Sequence, residues 1–434
     1  MTTPDRRDDR RWRRIVRAAV VDLAPLRHRD FRLLFIGRGV SFLGAMVTYV
    51  AVPFQVYELT HSSLAVGLLG LAEIVPLVVA AVIGGALADA HDRRRQAWLT
   101  EIGTMACSGA LLANAALSHP RVGVLYVIAA LMATLEGLQR PALEAMVPRL
   151  VPRDELKAAG AVGALRMTVG MIAGPAVGGV LIATVGLRGA YTFDVATFAF
   201  SLVALALMRA VPPSVDAEPP SLHRIVEGFR YARSRPELIG TYLVDINAMF
   251  FGMPTALFPA LAVSFGGARA LGWIYAAPAV GSFVATLSSG WTRRVHRHGA
   301  AVLWAAAAWG LAIIAFGIAH SLWLAFVFLA LAGAADMVSG IFRMVIWNET
   351  IPDALRGRLA GIEQVSYSVG PSLGNVEAGG VATAFSVRTS IVSGGVLCVL
   401  GSVILGLALP AFRRYDARNE AAATAPITRS VGDG

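Results

Sequence analysis

Apolar stretches of helical length recur along the chain, separated by short polar breaks. Twelve can be drawn, at 31–55, 64–88, 97–117, 122–144, 157–184, 190–209, 238–264, 271–291, 299–317, 321–345, 358–384 and 388–409. Each holds about 20 residues or more, enough to cross a hydrocarbon core roughly 30 Å thick. Backbone groups in lipid must be satisfied within their own segment, so the stretches are expected to be helices. The pattern predicts an all-α membrane protein with twelve transmembrane helices.

The longest polar break, 210–237, divides the spans into two groups of six. It contains Pro212-Pro213 and Pro219-Pro220, and from Ser221 to Arg235 it places Leu222, Ile225, Val226 and Phe229 on one helical face. That is the pattern of an amphipathic helix lying on a membrane surface. The two groups echo each other: Gly174-Pro175-x-x-Gly178 recurs as Gly370-Pro371-x-x-Gly374, and Val151-Pro152-Arg153-Asp154 as Ile351-Pro352-Asp353. Duplicated groups of six helices are a mark of secondary transporters. The expected organisation is a basic tail (1–30), two pseudo-symmetric six-helix bundles (31–209 and 238–409), the linker between them, and a second tail (410–434).

Composition supports the membrane reading. Of 434 residues 56% are hydrophobic and 15% charged, with a mean hydropathy of +0.63, where a soluble domain carries about 25% charged residues. The net charge of +10 is explained by topology. Thirty-two of the 38 basic residues fall on the side of the N-terminus, while Arg121, Arg188, Arg269 and Arg388 fall on the other and Arg38 and Arg166 lie within spans. The positive-inside rule then places both termini in the cytoplasm, in a multi-pass protein of the inner (plasma) membrane. No secretory signal peptide is expected, because residues 1–30 hold no apolar core or cleavage site. Nucleic acid is not an expected partner.

Enzyme classes find little support. The single lysine, Lys157, follows Leu156, so there is no Gly-Lys phosphate loop. The two cysteines, Cys107 and Cys398, sit in apolar runs and read as small hydrophobes, with no disulfide or zinc spacing. All eight histidines fall in loops or tails, which argues against a histidine proton relay or metal site. Neither cofactor nor metal is expected, and the chain is expected to act as a monomer. The spans' aromatic residues Trp273, Phe316 and Trp323 read as lipid-facing or interfacial.

The loop after the second span reads Gly84-Gly85-Ala86-Leu87-Ala88-Asp89-Ala90-His91-Asp92-Arg93-Arg94-Arg95. At Gly85, Leu87, Asp89, Arg93 and Arg94 it resembles the G-x-L-x-D-R-x-G-R-R loop of the major facilitator superfamily. Ala90 and Asp92 depart from that pattern. The fifth span carries Gly170-x-x-x-Gly174-Pro175-x-x-Gly178-Gly179, which resembles the antiporter motif of drug/proton exchangers of the same superfamily. Its glycines give a flat face for close helix packing, and its proline removes a backbone hydrogen bond. The stretch from Arg140 to Leu156 is similar to the enterobactin-exporter and macrolide-efflux branch. The resemblance implies a small-molecule exporter and a cytoplasmic latch of Asp89 and Arg93, with Arg94 beside them. An acid at the inner end of the fourth span, here Glu144, would complete the latch.

Ionisable groups inside the membrane are costly and default to functional hypotheses. The candidates are Glu73, Glu136, Asp194, Asp245, Asp336, Glu363 and Glu377, with Arg38 as a cation. Asp194 and Glu101 fall near span ends and read as caps or snorkelling groups. The family's architecture lines its cavity with spans 1, 4, 7 and 10, which favours Glu136, Asp245 and Asp336 and pairs Arg38 with Asp245 in one state of the cycle. Glu136 and Asp336 stand 200 residues apart, the offset that relates Pro152 to Pro352, and are the expected proton carriers, followed by Asp245 and Glu73. The competing reading pairs each acid within its own helix, Glu136 with Arg140 and Asp336 with Arg343. The function expected is proton-coupled export of an amphipathic small molecule. An importer of small solutes and a transport-inactive sensor are the alternatives.

Overall fold

A computed structural model describes residues 22–211, 230–352, 356–416 and 418, with the side chains of 356–358 and 360–367 excepted. Among these residues all regular structure is helical. The helices are α1 (Arg29–Thr60), α2 (Ser63–Ala90), α3 (Arg93–Ala116), α4 (Val122–Leu150), α5 (Leu156–Ala206), α6 (Pro236–Phe251), α7 (Phe258–Ser264), α8 (Ala268–Leu287), α9 (His298–Ile318), α10 (Leu322–Thr350), α11 (Arg356–Ala384), α12 (Val387–Ala408) and the short α13 (Pro410–Arg413). Nine stretches among the described residues are long and apolar enough to cross a membrane. The proposed linker face of Leu222, Ile225, Val226 and Phe229 lies outside the described residues. The linker's end, 230–234, is helical, and Tyr231 donates to the Thr350 carbonyl at 2.6 Å.

Local chemistry sets the boundaries. Ser62, Asp92, Ser321 and Ser386 cap the N-termini of α2, α3, α10 and α12, each accepting a backbone N–H of the first turn. Two expected spans, 157–184 and 190–209, form one helix, α5, broken into two legs at Gly186. Its φ of 72° and ψ of −179° suit glycine alone. A third, 238–264, is interrupted between α6 and α7 at Gly252-Met253-Pro254, and Trp309 satisfies the freed Gly252 carbonyl at 2.9 Å.

Packing follows a repeated scheme. In the first half α1 lies against α5, α2 against α4, and α3 against both α4 and α5. In the second, α6 lies against α11 and α12, α8 against α10, and α9 against α10 and α12. Two joints connect the halves: α2 with α11, and α5 with α8. Small residues make these approaches possible. A Cβ on Gly272 of α8 would stand 2.6 Å from the Pro175 carbonyl oxygen, and one on Gly67 of α2 would press into the main chain of Asn375.

Candidate functional site

Each joint is tight at one end and open at the other. Gly67, Gly70 and Leu64 of α2 meet Asn375, Ser372 and Gly379 of α11. About five turns along the same face of α2 stands Gly85, and a Cβ there would meet nothing within 4 Å. On α5, Gly179 presses on Ala268 and Gly272, whereas a Cβ on Gly160 or Gly163, near the start of the helix, would meet nothing within 4 Å. On α8 the face that carries Gly272 continues to Phe283 and Leu287, which are exposed. The closed end is sealed further by Tyr49 of α1, edge-on to Tyr275 of α8 at 5.3 Å. There Asn375 of α11 also accepts from Thr255 and the Ala256 N–H. The open end is the one that carries the Arg93-Arg94-Arg95 turn.

A cavity of about 330 Å³ opens toward this basic end, lined by α1, α4 and the first leg of α5. Arg38, Phe42, Glu136, Gln139, Arg140 and Arg166 face it. Glu136 is exposed within it. Arg166 lies over the Phe42 ring at 5.7 Å and donates to the Arg38 carbonyl at 3.2 Å. Arg140 pairs with Glu144 at 3.0 Å, rather than with Glu136.

The expected Arg38–Asp245 pair is absent from this state, because each group has a nearer partner. Arg38 reaches Glu101 of α3 at 3.2 Å and Gln139 of α4 at 2.9 Å. Asp245 of α6 is buried and bonded to Arg343 of α10, which also reaches Asp336 at 3.5 Å. The intrahelical reading of Asp336 with Arg343 therefore holds, but as one arm of an interhelical triad. Asp336 is half-exposed but is not among the residues that line this cavity, and Glu73 of α2 is half-buried. Glu377 is half-buried on α11, and the side chain of Glu363 lies outside the described residues.

Two acids read as caps or snorkelling groups are interior. Glu101 and Asp194 have no exposed surface: Glu101 stands about two turns into α3, which begins at Arg93, and Asp194 about two turns past Gly186, each on a face packed against neighbouring helices. Phe316, read as lipid-facing, is also wholly buried, while Trp273 and Trp323 are exposed. Glu101, Gln139 and Arg166 are the polar residues that sequence reading left out of the site, while Asp194 was set aside as a cap. Arg343 was read as the possible partner of Asp336 two turns along one helical face; its bond to Asp245 of α6 is what the sequence did not reveal.

In the loop after α2, Arg93 is buried, 3.9 Å from Asp89 and bonded to the Ala88 carbonyl. Arg94 ties α3 to the end of α5 through the Leu205 and Ala206 carbonyls. Glu144, the expected third member of the latch, is exposed on α4 and held by Arg140 instead. The close glycine is Gly84, whose Cβ would stand 2.7 Å from the Gly137 carbonyl oxygen; Gly85 faces open space. Asp92, where the family pattern has glycine, serves as the α3 cap. Gly170, Gly174 and Gly178 of α5 pack on Phe42, Met46 and Val47 of α1, while Pro175 and Gly179 turn toward α8. Gly370 and Gly374, flanking Pro371, pack on Met249 and Phe250 of α6. The repeat thus makes the same kind of contact in each half.

The two halves thus join at one end, and a cavity carrying arginines and a carboxylate opens from the first half toward the other end. The chain belongs to the transmembrane secretion effector family of the major facilitator superfamily, whose model matches residues 20–431. Over 391 residues it is 30% identical to the enterobactin exporter EntS of Citrobacter koseri, covering 89% of this chain and 94% of that one. The EntS of Escherichia coli O1:K1 matches to the same extent. A bacterial homologue of the human lysosomal transporter Spinster, solved inward-facing, shares the fold with a TM-score of 0.71 at 18% identity, over 91% of this chain and all of that one. The nucleoside transporter NupG shares it at 0.70 and 14%, over 89% of this chain and 100% of that one. The family and these relatives give the chain a transport role, in a multi-pass protein of the inner membrane.

Proposed function

We propose that the protein is a secondary active exporter that moves an amphipathic small molecule out of the cytoplasm by alternating access, coupled to protons. The observation that carries this reading is the asymmetry of the joints: small-residue faces shut at one end and open at the basic end, toward which a cavity of the first half opens with arginines, a free-standing carboxylate and phenyl rings. The reading takes the nine apolar stretches as twelve spans, since the two legs of α5 count separately and the more polar α3 and α11 span as well. The spans form two six-helix bundles, 31–209 and 238–409, with both termini in the cytoplasm and the cavity facing it. Glu136, at the cavity, and Asp336, beside Arg343 on α10, are the proposed proton carriers, followed by Asp245 and Glu73. Asp89 with Arg93 forms the proposed latch for the closed state of the basic end. Each inward proton supplies roughly 2.3 kcal/mol per 100 mV of membrane potential. Export, rather than uptake, is supported by the likeness to enterobactin exporters.

The test is accumulation of siderophores, enterobactin among them, and of amphipathic drugs in cells with and without the gene. Lower accumulation with the gene, abolished by an uncoupler, is expected. Higher accumulation would favour an importer, and equal accumulation across the panel would favour a transport-inactive sensor.

A further inference from the structure

Asp194, on the second leg of α5, is a fully buried carboxyl. Its Oδ2 accepts from Thr48 of α1 at 2.6 Å and from Ser108 of α3 at 2.7 Å. Its Oδ1 is buried with no hydrogen-bond partner. No basic side chain among the described residues forms a salt bridge with it. The ionisable groups around it are accounted for elsewhere. From α1, Arg38 is bonded to Glu101, Tyr49 and Tyr57 face Tyr275 and His61, and Glu58 sits near the helix's end. From α3 come Glu101 and Cys107. On its own helix, Tyr191 donates to Gln55 at 2.7 Å, and Arg188 holds the Ala115 and Ala116 carbonyls.

A polar seam leads from this carboxyl to the cavity. On α1 the buried stripe Gly37, Ser41, Gly44 and Thr48 faces the stripe Asp194, Thr197, Ser201 and Ala204 of α5. Gly44 is required there, since a Cβ would stand 2.6 Å from Asp194 Oδ1. Farther along, Ser41 Oγ and Ser201 Oγ are buried without partners, as is Oε1 of Glu101. Glu101 accepts from Arg38, which lines the cavity. Buried polar atoms are nearly always hydrogen-bonded, and leaving one unpaired costs about 1–3 kcal/mol. Four such oxygens along one seam, ending at an acid with no counter-ion, mark a route with an exchangeable occupant. The occupant that an isolated carboxyl among hydroxyls accepts is a proton.

We infer that Asp194 is a proton-binding site that exchanges with the cavity through the seam of Ser201, Ser41 and Glu101. The proton adds to the carboxylate to give the neutral acid, and its loss regenerates the carboxylate. The place of this step in transport rests on the proton-coupled reading above; the binding itself does not. The test is an infrared titration of the purified protein in lipid nanodiscs, from acid to alkaline pH and without substrate. A protonated-carboxyl band that fades as pH rises is expected in the wild type, lost in Asp194→Asn and regained at a shifted frequency in Asp194→Glu. The double variant Thr48→Val/Ser108→Ala, which keeps the carboxyl and strips its two donors, is expected to move the midpoint of the titration. A band insensitive to pH, or one that titrates unchanged in Asp194→Asn, overturns the inference. Liposomes carrying a pH gradient, with enterobactin as the probe, separate the two claims. If the wild type shows no gradient-driven flux, the coupled reading falls while the infrared result on Asp194 stands.

Discussion

Glu101 has no exposed surface and receives both Arg38 and Gln139. A buried carboxylate that loses its cation keeps its desolvation penalty and loses the attraction that offset it. Arg38→Gln is therefore expected to destabilise the protein by about 3 kcal/mol, whereas Arg38→Gln with Glu101→Gln recovers most of the loss. Thermal unfolding in detergent measures both; equal midpoints for the single and double variants would remove Glu101 as the partner that matters. Asp89 differs in kind. It is 43% exposed and 3.9 Å from Arg93, which has a backbone acceptor in Ala88 as well. A long contact to a solvent-exposed carboxylate contributes about 0–1 kcal/mol. Asp89→Asn is expected to leave the unfolding midpoint within a degree or two of the wild type, a shift on the order of ΔΔG over the unfolding entropy, while slowing export. Unchanged export in this variant would take the latch out of the cycle.

At the scale of the helix, the glycines divide by what a methyl group would meet. Gly84→Ala and Gly179→Ala place a Cβ against backbone, at 2.7 Å from the Gly137 oxygen and 2.6 Å from the Ala268 oxygen, while Gly85→Ala and Gly160→Ala meet nothing within 4 Å. The first pair is expected to lower the unfolding midpoint and the second to leave it unchanged; a reversed order would refute the packing. Helices of this size were legible in the sequence because their apolar runs are long, and the internal repeat was legible because glycine and proline mark the same contact in both halves. The two legs of α5 were read as separate spans, and the helix does break between them, at Gly186. The partner of each buried charge was not legible. Arg38 meets Glu101 and Asp245 meets Arg343 across helices 63 and 98 residues apart, and no periodicity within one helix encodes which face of which neighbour lies opposite. The same holds for Gly84 and Gly85: adjacent letters in the motif point to opposite environments, and only the packing of α2 on α4 separates them.

For the whole molecule the question is which side the cavity serves. The arginine asymmetry places the turn after α2 and the turn after α4 on the same side as both termini, and that is the end at which the joints stand open. If the open end faces the cytoplasm, a thiol on an open joint face should be reachable from that side and no other. Phe283 of α8 is 38% exposed and Ala161 of α5 is exposed, whereas Tyr275 lies in the closed end against Tyr49 and Phe258. The two native cysteines, Cys107 and Cys398, are buried and give little background. Single variants Phe283→Cys, Ala161→Cys and Tyr275→Cys can be treated with a membrane-impermeant maleimide in intact cells and in inverted vesicles. Phe283→Cys and Ala161→Cys are expected to label in inverted vesicles and stay unlabelled in intact cells, with Tyr275→Cys labelled in neither. Alternating access adds a second expectation: a compound that is exported, added with a proton gradient, should populate the opposite state, slow labelling at Phe283 and Ala161 and expose Tyr275 to the outside reagent. Labelling of Phe283→Cys in intact cells would invert the topology. Labelling that no transported compound alters would leave the inward-open shape as the only state the protein visits.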